Sequence, residues 1–82
     1  MKNTKKNKSK NIIGPKVKTA RMAFEPMLSQ DALAGRLAKL NISLDRSAIS
    51  RIESQERYVM DYEVIAIAKC LKVSVEYLIG KK

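Results

Sequence analysis

LSQDALAGRLAKLNISLDRSAISRIE, residues 28–53, decides how this chain folds. It carries two short amphipathic helix signals, each opened by a good capping residue, with a polar segment between them. Ser29 suits the N-cap of the first, and Asp31 falls in a first turn where the macrodipole favours an acid. Leu33, Ala34, Leu37 and Leu40 supply its inner face. NISL at 41–44 is the connection, and Asp45 caps the next helix, expected over roughly 46–54. That helix turns Ile49 and Ile52 one way and Arg46, Ser47, Ser50 and Arg51 the other.

Helical spacing continues on both sides of this stretch. Ile13, Val17, Ala20 and Phe24 recur behind Pro15, whose missing N–H is no loss in a first turn, and Glu25-Pro26 breaks the pattern. Downstream, SQERYV at 54–59 reads as a polar loop. Asp61 is the expected cap of a fourth helix with the stripe Val64, Ile65, Ala68 and Leu71. Ser74 opens a short fifth helix carrying Val75, Leu78 and Ile79, ended by Gly80. Nothing alternates as a strand does. The expected fold is all-α, a compact bundle of five short helices.

Eighty-two residues allow one small domain, and a chain this short buries roughly 60% of its unfolded surface. Cys70 is the only cysteine, so no disulfide forms within the chain; a small core or near-core role is expected for it. Without histidine or a second cysteine no metal site is expected, and no cofactor is called for. The longest apolar run is VIAIA at 64–68, which argues against a membrane span or secretion signal and for a reducing cytoplasm.

Formal net charge is +9, unevenly placed. Residues 1–18 hold seven lysines and no acid, whereas residues 19–82 hold ten basic and eight acidic groups. The segment 1–12 reads as a basic, disordered tail, unable to bury enough surface to offset its ordering entropy, and 13–80 as the folded domain. Set against this charge, the arginine–serine face of residues 46–51 can neutralise phosphates and hydrogen-bond base edges, so duplex DNA is the first partner to consider.

LSQDALAGRL, followed by AISRIE and later by IAKCLKVSVEYLI, resembles the phage repressor/Cro-type helix-turn-helix domain of bacterial and phage regulators. The likeness covers about residues 13–80, and three ordered motifs make it more specific than a lone helix-turn-helix match. It implies a lambda-repressor-like bundle whose third helix enters the major groove. By matching position, Arg46, Ser47, Ala48, Ser50 and Arg51 would face bases. Gln30 would clamp a phosphate at the start of the second helix. Ser54, Gln55, Arg57 and Tyr58 would grip the backbone after the third. Ala34 would let the second and third helices approach, and Arg21 with Glu53 would form a structural ion pair between the first and third.

The chain departs from the family between the second and third helices. The connection is about five residues longer than usual and has no glycine, so either the second helix runs on or a longer loop follows it. The segment before Ser29 is also longer, by about two residues.

Each of these residues has a plainer reading. On an isolated surface helix Arg46 and Arg51 are solvated arginines, and Ser47 and Ser50 are weak discriminators whatever their place. Ala48 is a small residue whose methyl can touch a thymine methyl, and Tyr58 can pack on the fourth helix instead of meeting phosphate. Met22, Met27 and Met60 read as core edges or gap fillers.

The function these readings imply is a sequence-specific DNA-binding transcriptional regulator, with repression the expected sense. A homodimer, formed free or only on DNA, would have to use the domain itself, with Val75, Tyr77, Leu78 and Ile79 the candidate surface. A rival class is the antitoxin of a toxin–antitoxin pair, which binds both DNA and a partner protein; another is a nonspecific binder acting through the lysine tail. Catalysis is the least expected, with no histidine, glycine-rich phosphate loop or paired carboxylates to carry it.

Overall fold

The computed structural model describes residues 9–80. The lysine-rich residues 1–8, expected to be disordered, lie outside the described residues. Five helices follow in order: α1 (Gly14–Met22), α2 (Gln30–Ala38), α3 (Arg46–Glu53), α4 (Asp61–Leu71) and α5 (Val75–Leu78). Among the described residues there is no strand, and no helix is long and apolar enough to cross a membrane. The all-α expectation holds.

The caps place the helices. Ser29 Oγ accepts from Ala32 N at 3.0 Å, Asp45 Oδ1 from Ala48 N at 2.8 Å, and Ser74 Oγ from Tyr77 N at 3.0 Å, opening α2, α3 and α5 where the sequence put them. α4 differs. Its N-cap is Met60, and the side chain of Glu63 reaches back to the Met60 N–H at 2.9 Å, so Asp61 is the first helical residue and not the cap.

Three helices end by one device. Asn41, Gln55 and Lys72 adopt left-handed φ values of 64°, 67° and 59°. The N–H of the residue after each bonds a carbonyl five residues back: Ile42 to Leu37, Glu56 to Arg51 and Val73 to Ala68. These are Schellman ends made without glycine. The α2–α3 connection is therefore a longer loop and not an extended helix. Its turn at Asn41 sends Leu40 outward (43% exposed), against its expected place on the inner face of α2, and brings Leu44 of the connection into the core (4%).

The core joins Ile13 and Val17 of the first segment with Leu33 and Leu37 of α2, Ile49 and Ile52 of α3, Ile67 of α4 and Leu78 of α5. α1 packs on α3, α4 and α5, and α2 packs on α3 and α4. The buried face of α4 is Glu63, Ala66, Ile67, Ala68, Cys70 and Leu71, so of the expected stripe Ala68 and Leu71 turn inward while Val64 and Ile65 do not. Val64 is half-buried and Ile65 exposed. VIAIA offers apolar residues on every side, and only packing against α1, α2 and α5 chooses between them. Met22, Met27 and Met60 are corrected likewise: all are about half exposed and lie outside the core. Leu78 is fully buried, so it cannot form part of a dimer surface.

Candidate functional site

α3 is anchored by Ile49 and Ile52, 1% and 0% exposed, and its opposite face is uncovered. Arg46, Ser47, Ser50 and Arg51 are exposed, while Ala48 is half-buried, its N–H taken by the Asp45 carboxylate. Arg46 and Ser50 border an open groove that also takes in Lys18 of α1 and Ser29, Gln30 and Asp31 at the start of α2. A second depression, contiguous through Gln30, Arg46 and Ser50, adds Ser47 and Arg51. The groove thus collects Lys18, Arg46 and Arg51 against one unpaired acid, Asp31. At its α2 edge the N–H groups of Gln30 and Asp31 lie in a first turn, where no intrahelical acceptor exists.

The floor of the groove is an ion pair. Arg21 Nε donates to Glu53 Oε2 at 2.7 Å and Arg21 Nη2 to Glu53 Oε1 at 2.9 Å, with both side chains under 10% exposed. Arg21 Nη1 donates to Leu28 O at 3.0 Å, and Gln30 Nε2 to Glu53 Oε1 at 3.1 Å. A two-pronged pair with further bonds from Arg21 to Leu28 O and from Gln30 to Glu53 holds three elements in fixed relation. It joins α1 to α3, as the resemblance implied, and also takes in the segment leading to α2. The Gln30 amide keeps one N–H and its carbonyl oxygen for an outside group.

The segment before α1 clamps the same, C-terminal end of α3. Asn11 Oδ1 accepts from Ile13 N and Gly14 N, and Asn11 Nδ2 donates to Ile52 O at 3.1 Å and Arg57 O at 2.9 Å. Lys10 N donates to Gln55 O at 2.9 Å, and Gln55 Nε2 to Asn11 O at 2.9 Å. At Gly14 a Cβ would collide with the Ile52 and Glu53 carbonyl oxygens, so only glycine permits this approach. Residues 10 and 11, assigned from sequence to the tail, are therefore bound to the α3 C-terminus. Asparagine in a lysine–asparagine run carries no sequence signal that sets it apart as a cap.

The residues expected to grip phosphate divide into two groups. Ser54 and Tyr58 are exposed; Ser54 Oγ donates to Arg51 O at 3.3 Å, and the Lys10 ammonium lies 5.4 Å from the Tyr58 ring centre. Gln55 and Arg57 are committed inward. Arg57 Nη1 donates to Tyr58 O at 2.9 Å and to Glu63 Oε1 at 3.2 Å, and Gln55 holds Asn11. Lys18 was not anticipated from sequence. Its signal was its place one turn before Arg21, on the helix that the Arg21–Glu53 pair draws toward α3.

Cys70 is buried as expected, and burial pushes its thiol up from the ordinary value, with Arg36 opposing in part. A thiol so placed is held in its unreactive neutral form. No family model, curated protein or solved structure matches the chain, so any reading of the groove rests on its own residues.

Proposed function

We propose that this chain is a sequence-specific, double-stranded DNA-binding transcriptional regulator. In this reading α2 and α3 are a helix-turn-helix pair with a lengthened connection, in a lambda-repressor-like bundle, and α3 lies in the major groove. The observation that carries it is α3 itself. A helix of eight residues, about 12 Å long, sinks two isoleucines into the core and leaves two arginines and two serines bare on a strongly basic chain. A helix, about 10–12 Å across with its side chains, fits a major groove about 12 Å wide, and arginine can take guanine O6 and N7 together.

Roles follow from position. Arg46, in the first turn, reads a base edge, and Arg51, further along, takes a base or a phosphate. Ser47 and Ser50 adapt to either, and the half-buried Ala48 offers only its methyl. Gln30, Ser54 and Tyr58 hold the sugar–phosphate backbone, joined by Lys18. Gln55 and Arg57 act indirectly, by fixing the backbone from which Ser54 and Tyr58 project. Bound across a promoter, such a protein blocks polymerase, which makes repression the favoured sense.

Selection of bound sites from random duplexes tests the reading. An enriched motif of a few base pairs is expected, its strength falling steeply as salt rises. Binding with no preference among sequences would overturn it and leave only a basic, nonspecific binder.

A further inference from the structure

The largest uncovered apolar side chains away from α3 include a cluster on α4 and the residue that leads into it. Tyr62 and Ile65 are 59% and 52% exposed, and Met60 is 54% exposed. Asp61, Ile65 and Lys69 succeed one another at intervals of four, so they form one stripe along the helix, and all three are exposed. The stripe reads acid, isoleucine, base from the N-terminal end. Among the described residues neither charge is in an ion pair, those being Arg21–Glu53 and Arg57–Glu63; Asp61 Oδ1 accepts from its neighbour Tyr62 N at 2.6 Å and keeps its other carboxylate oxygen free for a partner.

We propose that this face of α4 binds a second copy of the chain, antiparallel, with the two-fold axis at Ile65. A two-fold interface must be self-complementary, each residue meeting its counterpart's partner in return. Asp61 and Lys69 stand equally far on either side of Ile65. An axis through Ile65 therefore sets the Asp61 of each copy beside the Lys69 of the other, twice over. Ile65 meets Ile65 at the centre, and Tyr62 and Met60 cover the flanks. Parallel pairing would instead oppose acid to acid and base to base.

The apolar centre is small, so the interface belongs to the class below about 1,200 Å² and to weak, reversible association. α5, the region first expected to dimerise, is less suited. Leu78 is fully buried, and Val75, Tyr77 and Ile79 are half-buried. The pairing does not rest on the DNA reading. The α4 stripe shares no residue with the α3 groove, so the two surfaces are distinct.

Sedimentation equilibrium of the whole chain without DNA, from micromolar to millimolar concentration at low salt, tests the proposal. The unaltered chain is expected to reach a dimer, and Ile65→Asp to raise the dissociation constant at least about tenfold. Asp61→Lys and Lys69→Asp, each alone, are expected to weaken the dimer similarly, because each then opposes like charges twice. An equimolar mixture of these two variants restores acid against base at both positions and is expected to recover the dimer. Circular dichroism confirms that each variant keeps its helices. An unaltered chain that stays monomeric would overturn the proposal. So would an Ile65→Asp dimer of unchanged strength, or a mixture no tighter than either variant alone.

Discussion

The two ends of α3 are held in unlike ways. Its C-terminal end is gripped from several sides by the Asn11 side chain, the Lys10 and Gln55 backbone, the close approach of Gly14 and the Arg21–Glu53 pair. Its N-terminal end has the exposed Asp45 cap, with Leu44 buried beside it, at the close of a seven-residue connection (39–45). Arg46, the residue proposed to read a base, begins the lightly held end. The direction of α3 is thus set from its C-terminal end, and the side chain proposed to read a base begins the end with fewer ties. Substitutions at the gripped end should act on stability, and those at the free end on binding.

The largest effect is expected at Glu53. Its carboxylate side chain is 5% exposed, and Glu53→Ala leaves the buried Arg21 guanidinium without its countercharge. Breaking one partner of such a pair costs about 3–5 kcal/mol, a large part of the stability of so small a domain. Urea unfolding followed by helical circular dichroism would measure it. The pairing of Arg21→Met with Glu53→Leu should cost far less, since no buried charge is then left alone. A loss below about 1 kcal/mol for Glu53→Ala would show that the pair does not hold this end.

Gly14→Ala comes next. The added methyl must push α1 away from the α3 carbonyls, at a cost of about 1–3 kcal/mol. Gly35→Ala is the matched control. Gly35 lies inside α2 with open space around its Cα, so the same change there should stabilise by about 0.5–1 kcal/mol. Opposite signs for the two substitutions would locate the constraint in the α1–α3 approach. At the free end, Asp45→Ala removes one capping hydrogen bond from an exposed position and should cost about 1 kcal/mol in the same urea assay.

This contrast between ends also explains what the sequence disclosed. Ser29, Asp45 and Ser74 were readable because an N-cap is local chemistry: one oxygen, one N–H, three residues apart. The core face of α3 was readable because only Ile49 and Ile52 among its residues are large and apolar. The end of α2 was obscure because Asn41 occupies a left-handed position where glycine is the usual signal, as do Gln55 and Lys72 after α3 and α4, although the end of α3 was read to within a residue. Leu40 and Ile65 were misplaced for a related reason. Where neighbouring positions are equally apolar, distant packing decides which turns inward. The Asn11 clamp spans more than forty residues of chain, so no local pattern announces it. The exposed set Arg46, Ser47, Ser50 and Arg51 was legible; the inward ties of Gln55 and Arg57 were not.

Arg46→Ala should have the smallest effect on stability and the most informative effect on binding. The side chain is exposed and belongs to neither ion pair among the described residues, so urea unfolding should move by no more than about 0.5 kcal/mol. In binding to selected duplexes, the loss should appear as relaxed preference at one base position, worth about 1–3 kcal/mol of discrimination. A phosphate contact would behave differently: affinity would fall alike for every sequence, and the salt dependence would become shallower. Arg46→Lys separates the two roles further. Lysine keeps the charge and the reach but not the planar fork, so a phosphate contact survives the exchange while a two-pronged base contact weakens. Unchanged preference in both variants would move base reading along α3 to Arg51, next to the gripped end, where a fixed helix direction would then have to set the specificity.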